Sequence, residues 1–164
     1  MTADAIEIRD LSKRFGGGKR LFGRPRHAVD AVKSVSLTLR HGETLALVGE
    51  SGSGKSTLAR MLVGLETPTS GSLAIGGRDA GVLRREGPKA FGRMIQYVFQ
   101  DPVASLNPRK TVRDILETPL ALLAGQEPAR RRVRMEELLD AVRMPVDALS
   151  RYPHEFSGGQ AQRI

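Results

Sequence analysis

Gly49-Glu50-Ser51-Gly52-Ser53-Gly54-Lys55-Ser56-Thr57 satisfies the pattern G-x-x-x-x-G-K-[ST] in full. Its flanks matter as much as its letters. Thr44-Leu45-Ala46-Leu47-Val48, in front of it, is a short continuous apolar run ending in glycine, the composition of a strand buried in a parallel sheet. Behind it, Leu58, Met61, Leu62 and Leu65 recur at helical spacing from Lys55 onward. A glycine-rich turn between a buried strand and a helix is the context that gives the pattern its meaning. Glycines let the backbone bend so that successive N–H groups point at phosphate oxygens, and the helix N-terminus adds partial positive charge. Lys55 supplies a mobile cation for the β- and γ-phosphates, Ser56 a hydroxyl for Mg²⁺, and Thr57 a donor to the α-phosphate. The stretch is predicted to hold a nucleoside triphosphate.

Outward from this loop, Ile6-Glu7-Ile8-Arg9-Asp10-Leu11 and Val35-Ser36-Leu37-Thr38-Leu39 alternate apolar and polar residues and are predicted as half-buried strands. Between them, residues 16–26 are too rich in glycine, proline and charge for regular structure. Ser72-Leu73-Ala74-Ile75 is predicted as a strand closed by Gly76-Gly77, and Met94-Ile95-Gln96-Tyr97-Val98-Phe99 as another, halted by Gln100-Asp101-Pro102. Thr111 followed by Asp114 marks a helix start, and Pro119 is expected to kink or shorten that helix. Pro128 opens a further helix whose apolar stripe is Met135, Leu138, Leu139 and Val142. Arg130, Arg131, Arg134 and Glu137 lie off that stripe, so the arginine run reads as a solvated face. Strands with interleaved helices thus come first, followed by a helical region from about residue 111 to 150, with no internal repeat.

The chain has 164 residues, enough for one domain with a core or for part of a larger one. Hydrophobic content of 40% and charged content of 27% exclude a disordered chain. With no cysteine, disulfides and cysteine-based zinc sites are excluded. The longest apolar run is far too short to span a bilayer, and residues 1–7 carry no basic segment followed by an apolar one, so no secretory signal is read. The net charge of +8 rests on dispersed arginines, Arg24, Arg26, Arg84 and Arg85 among them, with only five Phe and two Tyr as stacking platforms. That balance argues for a solvated basic surface rather than a nucleic-acid groove.

A second signature, Phe156-Ser157-Gly158-Gly159-Gln160, follows Tyr152-Pro153-His154-Glu155 and opens an apparent helix. Alone, Ser-Gly-Gly is an ordinary helix cap. Paired with the phosphate loop, it resembles the ATP-binding cassette (ABC) family, whose LSGGQ signature appears here as FSGGQ. The resemblance covers nearly the whole chain. Gln100 in Phe99-Gln100-Asp101-Pro102 matches the family's Q-loop, and Phe15 the aromatic that stacks on adenine. Residues 97–109, 42–52 and 152–160 are similar to the ATPase subunits of dipeptide and oligopeptide importers.

The resemblance implies an α/β fold: a partial cassette made of an antiparallel β subdomain, an incomplete parallel core sheet and a helical subdomain. It implies one incomplete ATP-binding domain over 1–164, with a β subdomain and phosphate-loop core over 1–110, a helical subdomain over 111–156, and the start of the signature helix over 157–164. ATP and Mg²⁺ are the implied ligands. Gly49, Glu50, Ser51, Gly52, Ser53, Gly54, Lys55, Ser56 and Thr57 would grip the nucleotide, and Phe15 would stack on its base. Ser56 and Gln100 would face the metal, and Gln100 with Lys55 would serve the reaction. Ser157, Gly158, Gly159 and Gln160 would contact the γ-phosphate of ATP held by a second ATPase subunit in a head-to-tail dimer. The implied partners are that subunit, transmembrane permease subunits docking near Gln100 and the helical subdomain, and indirectly a substrate-binding protein, with no nucleic acid. The implied place is peripheral, on the cytoplasmic face of the inner membrane, and the implied work is ATP-driven uptake of peptides or related solutes.

Some of the family's parts have no counterpart here. No four apolar residues run into Asp-Glu, which in the family supply the second metal contact and the general base, and no histidine matches the switch histidine. His27 and His41 receive no role, and His154 a structural one. A base or water-orienting group is a recurring part of phosphoryl transfer. The expectation is therefore a truncated chain, not hydrolytically competent alone, with unpaired sheet edges. A non-transport cassette ATPase acting on nucleic acid or ribosomes is the alternative. Lys55 and Ser157 lie 102 positions apart with no heptad run between them, unlike chromosome-maintenance ATPases, and excision-repair cassettes carry cysteine zinc modules absent here.

Overall fold

A computed structural model of the chain describes residues 4–16 and 28–164. The basic loop from residue 17 to 27, with Arg24, Arg26 and His27, lies outside the described residues. Packing divides the chain into one unit ending at Gln96 and another beginning at Tyr97.

In the first unit, β1 (Ile6–Phe15) pairs antiparallel with β2 (Val29–Leu39) on one side and with β3 (Ser70–Ile75) on the other. A short β4 (Arg78–Asp79) completes the sheet in the order β2-β1-β3-β4. Strict alternation would send Ile8 and Leu11 to opposite faces, yet they are 2% and 0% exposed. A register shift between them resolves this. Asp10 adopts φ 47° at that point, its N–H donates to Ser36 Oγ (2.8 Å), and its Oδ1 accepts from Ser34 Oγ (3.0 Å). A bulge thus inserts one residue and returns Leu11 to the core face. Gly76 and Gly77, at φ 54° and 75°, form the two-residue link between Ile75 and Arg78, the φ > 0 pair that a tight hairpin turn requires.

Helix α1 (Lys55–Leu62) lays Leu58 and Met61 into this core. Two further helices, α2 (Ala80–Glu86) and α3 (Pro88–Met94), add Leu83 and Phe91 to it. Their start signals are local. Asp79 Oδ1 accepts from the Val82 N–H at 3.0 Å, and Pro88 occupies the first turn of α3.

Two expected strands do not form. Residues 44–48 have no regular structure, and Leu45, Leu47 and Val48 are at least half exposed. Met94 ends α3, while residues 95–99 are irregular, with Val98 81% exposed. A parallel strand is held by neighbours on both edges and both faces. Among the described residues the sheet is wholly antiparallel, and neither run pairs with either of its edge strands, β2 and β4. Leu65, expected on the α1 stripe, falls beyond the helix end and is exposed.

The second unit is helical: α4 (Pro102–Ser105), α5 (Val112–Leu122), α6 (Pro128–Ala141), two short 3₁₀ turns at Val146–Ser150 and Pro153–Glu155, and α7 (Gly158–Ala161). The expected cap forms on α5. Asp114 N–H donates to Thr111 Oγ1, while Thr111 N–H donates to Asp114 Oδ2, each at 3.3 Å. The helix runs through Pro119 to Leu122, and the Pro119 carbonyl then accepts from Leu123 and Ala124 as the helix closes. Met135 and Leu139 of α6 pack with Val112, Met144, Ala148 and Leu149. The arginine run is only partly a solvated face. Arg131, its side chain 18% exposed, lies 3.4 Å from Glu117 of α5, while Arg132 and Arg134 pair within α6 with Glu136 and Glu137.

Leu139 is 2% exposed, so Leu139→Ala is expected to cost about 2–5 kcal/mol in chemical denaturation, whereas breaking the exposed Arg132–Glu136 pair should cost under about 1 kcal/mol. At the end of the sheet, the Arg14 guanidinium donates twice to the Asp30 carboxylate, at 2.5 and 3.0 Å, and holds it below its ordinary range. A depressed carboxylate stabilises the fold above its unfolded pKa and loses that contribution as pH falls through the folded value. Asp30→Asn should therefore lower stability slightly at neutral pH, and the difference from wild type should vanish as acid protonates Asp30 in the folded state, below the ordinary carboxylate range.

Candidate functional site

The first unit carries the phosphate loop. Gly54 stands at the N-cap of α1 with φ 94° and ψ 0°, in the left-handed region that favours glycine. A β-carbon there would lie 2.1 Å from the Ala31 carbonyl oxygen of β2. The loop is therefore pressed against the sheet at the residue where the helix starts. The first helical bond runs from the Leu58 N–H to the Gly54 carbonyl at 2.9 Å. Among the described residues, the N–H groups of Lys55, Ser56 and Thr57 consequently have no carbonyl one turn back, and no side chain or acidic residue of the first turn caps them. Three free donors and the positive end of the helix dipole point the same way.

Lys55 turns back over the loop that precedes it. Its Nζ donates to the carbonyls of Gly49 (2.7 Å) and Glu50 (2.6 Å) and to Ser53 Oγ (3.2 Å). The Ser53 N–H closes the turn on the Glu50 carbonyl at 3.2 Å. A cavity of about 460 Å³ opens beside the loop, lined among others by Asp30, Lys33, Gly49, Ser53 and Lys55. Arg14 neutralises Asp30, which leaves the two lysines as the unmatched charges of that lining. The arrangement suits a polyanion. Ser56 is exposed, and its hydroxyl has no partner among the described residues.

Phe15 ends β1 opposite Val29, one residue from the cavity-lining Asp30. It is 40% exposed and outside the core, with Lys13 Nζ 4.7 Å from its ring centroid. The sequence predicts the second half of β2, residues 35–39, as a strand but not its first half. Residues 29–34 lack clean alternation, yet they form the floor under Gly54 and part of the cavity wall.

The second unit carries the remaining candidates. Gln100 is exposed in the loop before α4, its side chain without a hydrogen bond among the described residues, and Asp101 Oδ1 caps α4 by accepting from the Ala104 N–H at 3.0 Å. Ser157 is the N-cap of α7, where its N–H (3.1 Å) and Oγ (3.2 Å) both donate to Gln160 Oε1. Arg163 reaches from the end of this segment to the carbonyls of Val142 and Arg143, each at 3.3 Å, and so ties it to the end of α6. His154 stacks on Tyr152 with centroids 5.7 Å apart, in keeping with a structural part. Gly158 and Gly159 have no positive φ, and a β-carbon on either would meet nothing within 4 Å. Among the described residues, neither conformation nor packing calls for glycine there. The structure thus gathers residues 49–57 into one loop and residues 157–160 into one cap, each within its own unit. Among the described residues, no cluster of three or more His, Asp or Glu could hold a metal by itself, and no helix is long and apolar enough to cross a membrane.

Known proteins resemble this chain in sequence and in fold. The oligopeptide transport ATP-binding protein OppF of Lactococcus lactis is 41% identical over 162 residues, covering 99% of this chain and 51% of that protein. The nickel import ATP-binding protein NikE of Escherichia coli (strain UTI89) is 44% identical over 159 residues, covering 97% of this chain and 59% of its own length. The chain therefore spans about half the length of such relatives. Among solved structures, the dimeric post-hydrolysis state of the ATP-binding cassette MJ0796 bound to ADP and Pi superposes with a TM-score of 0.79 at 28% identity, covering 96% of this chain and 66% of that one. The family model described as ABC transporter matches residues 32–164, through the phosphate loop, the Gln100 turn and the Ser157 cap, and the chain belongs to that family.

Proposed function

We propose that this chain is the ATP-binding part of an importer subunit, one that couples ATP binding and hydrolysis to uptake of peptides or related solutes. The observation that carries the reading is the phosphate loop: three uncapped amides of α1, with the Lys55 ammonium folded over the turn before them. Nucleotide binding comes with the family. The names of OppF and NikE support transport and leave the solute open between peptide and metal.

Residues 49–57 bind the triphosphate, with the amides of the first turn on the phosphate oxygens. Lys55, released from its own loop carbonyls, moves to the β- and γ-phosphates. Ser56 offers a neutral hydroxyl oxygen with no partner among the described residues, which suits a hard cation whose other ligands are phosphate oxygens and water, and the amide oxygen of Gln100 is a donor of the same kind. When bound, Mg²⁺ offsets the charge that develops on the transferred phosphoryl group. Gln100 and Lys55 position the γ-phosphate. The general base is proposed to lie in the part of the relatives that this chain does not span.

Ser157, Gly158, Gly159 and Gln160 complete the site of a second ATPase subunit rather than this one. Each glycine inside a helix is expected to cost about 0.5–1 kcal/mol relative to alanine. Nothing in this chain requires that cost, so close approach by another molecule is the reading we adopt. A dimeric cassette structure among the chain's fold relatives supports it. The permease subunits of such an importer are proposed to dock near Gln100 and the helical unit, which places the protein peripherally on the inner face of the membrane.

In the full-length protein, Lys55→Ala should weaken ATP binding by about ten- to 150-fold, the value of a charge-assisted hydrogen bond, as read by calorimetry. Gly54→Ala forces both a left-handed alanine and a clash with Ala31, and it should lower ATP affinity and thermal stability together. Gly159→Ala should behave in the opposite way, leaving stability unchanged or raised by about 0.5–1 kcal/mol while abolishing ATP-dependent dimerisation in sedimentation. Dimerisation that survives Gly159→Ala and Ser157→Ala would contradict the composite site.

A further inference from the structure

Lys13 precedes Phe15 by two positions on β1, and its side chain is only 13% exposed. Its Nζ forms an ion pair with Glu66 Oε2 at 2.9 Å and donates to the Thr67 carbonyl at 2.8 Å. Both partners lie in the segment that leaves α1, and the Glu66 N–H is itself bound to the Arg60 carbonyl of that helix at 3.1 Å. The ammonium is therefore held by anchors that owe nothing to Phe15. From that fixed point it lies 4.7 Å from the centroid of the Phe15 ring, over one face.

A phenylalanine at the end of a strand, 40% exposed and outside the core, has little else to fix its ring. An anchored cation over one face supplies that constraint and leaves the opposite face for a ligand. It also draws π-density toward itself, which favours stacking of a polarisable purine on the other side. Because the Glu66 N–H is bound to the Arg60 carbonyl of α1, the same brace sets the ring's place relative to the helix that begins at Lys55.

We infer that Lys13 is a positioning residue for base recognition: anchored by Glu66 and Thr67, it holds the Phe15 ring by a cation–π contact and presents its free face to the purine. The inference rests on the reading of Phe15 as the base platform. A lysine that only straps β1 to the segment after α1 would affect the fold but not the distinction between a nucleotide and a bare polyphosphate.

The test measures dissociation constants of the full-length protein for MgATP and for magnesium-loaded inorganic triphosphate, alongside thermal midpoints. Wild type, Phe15→Ala, Lys13→Met and Lys13→Arg are compared. Lys13→Met is expected to weaken ATP binding by about three- to tenfold while changing triphosphate binding by less than about twofold, and Lys13→Arg to restore most of the ATP affinity. If Phe15→Ala leaves the ATP-to-triphosphate ratio unchanged, the platform reading fails and takes this inference with it. If Phe15→Ala lowers the ratio and Lys13→Met does not, the platform stands and the role of Lys13 is overturned. Equal loss of both ligands in Lys13→Met, in step with its thermal midpoint, also overturns it. Should Lys13→Met not fold, Glu66→Gln, which loosens the anchor and keeps the lysine, must lower the same ratio, and an unchanged ratio rejects the inference.

Discussion

The contact between Gly54 and the Ala31 carbonyl is the constraint on which the phosphate loop depends. A side chain at residue 54 has no room above β2, and the left-handed turn there is what lets α1 begin with its first three amides unclaimed. Those amides, the dipole behind them and the fold-back of Lys55 all follow from that start. β2 is fixed in turn by its ladder to β1, and β1 keeps Leu11 in the core only through the bulge at Asp10. The loop is thus built by a polar sheet irregularity and one missing β-carbon as much as by the motif itself.

What the sequence disclosed divides along the range of the forces involved. The phosphate loop, the Thr111–Asp114 cap, the Pro128 start and the Met135–Leu139 stripe rest on contacts within a few residues, and all were legible. Residues 44–48 and 94–99 looked like buried strands because Leu45, Leu47, Val98 and Phe99 are apolar. Apolar content does not make a strand without a paired neighbour, and among the described residues neither run has one. The converse failure is the first half of β2, where Asp30, Lys33 and Ser34 break the alternation and pairing with β1 imposes the strand regardless. Helices α2 and α3 are too short to show a clear apolar stripe, and their starts at Asp79 and Pro88 emerge from the structure. The contact from Lys13 to Phe15 and its anchors at residues 66–67 joins segments more than fifty positions apart, beyond what spacing alone can reveal.

The glycines of the two signatures differ in kind. Gly54 answers to this chain's own geometry, with a positive φ and a carbonyl in the way. Gly158 and Gly159 answer to nothing within it, since their backbone is ordinary and their surroundings open. Residues that cost helix stability without internal need point outward. This difference, rather than the letters Ser-Gly-Gly-Gln, supports the reading of one loop as a grip and the other as a clasp for a neighbour's nucleotide.

The central claim is that ATP is held by the amides at the start of α1. Hydrogen exchange of the full-length protein, followed by mass spectrometry with and without MgATP, tests it most directly. The account predicts that exchange slows most in peptides spanning residues 49–58, where the free donors gain phosphate partners. Unchanged exchange there, with protection appearing only elsewhere in the chain, would contradict it.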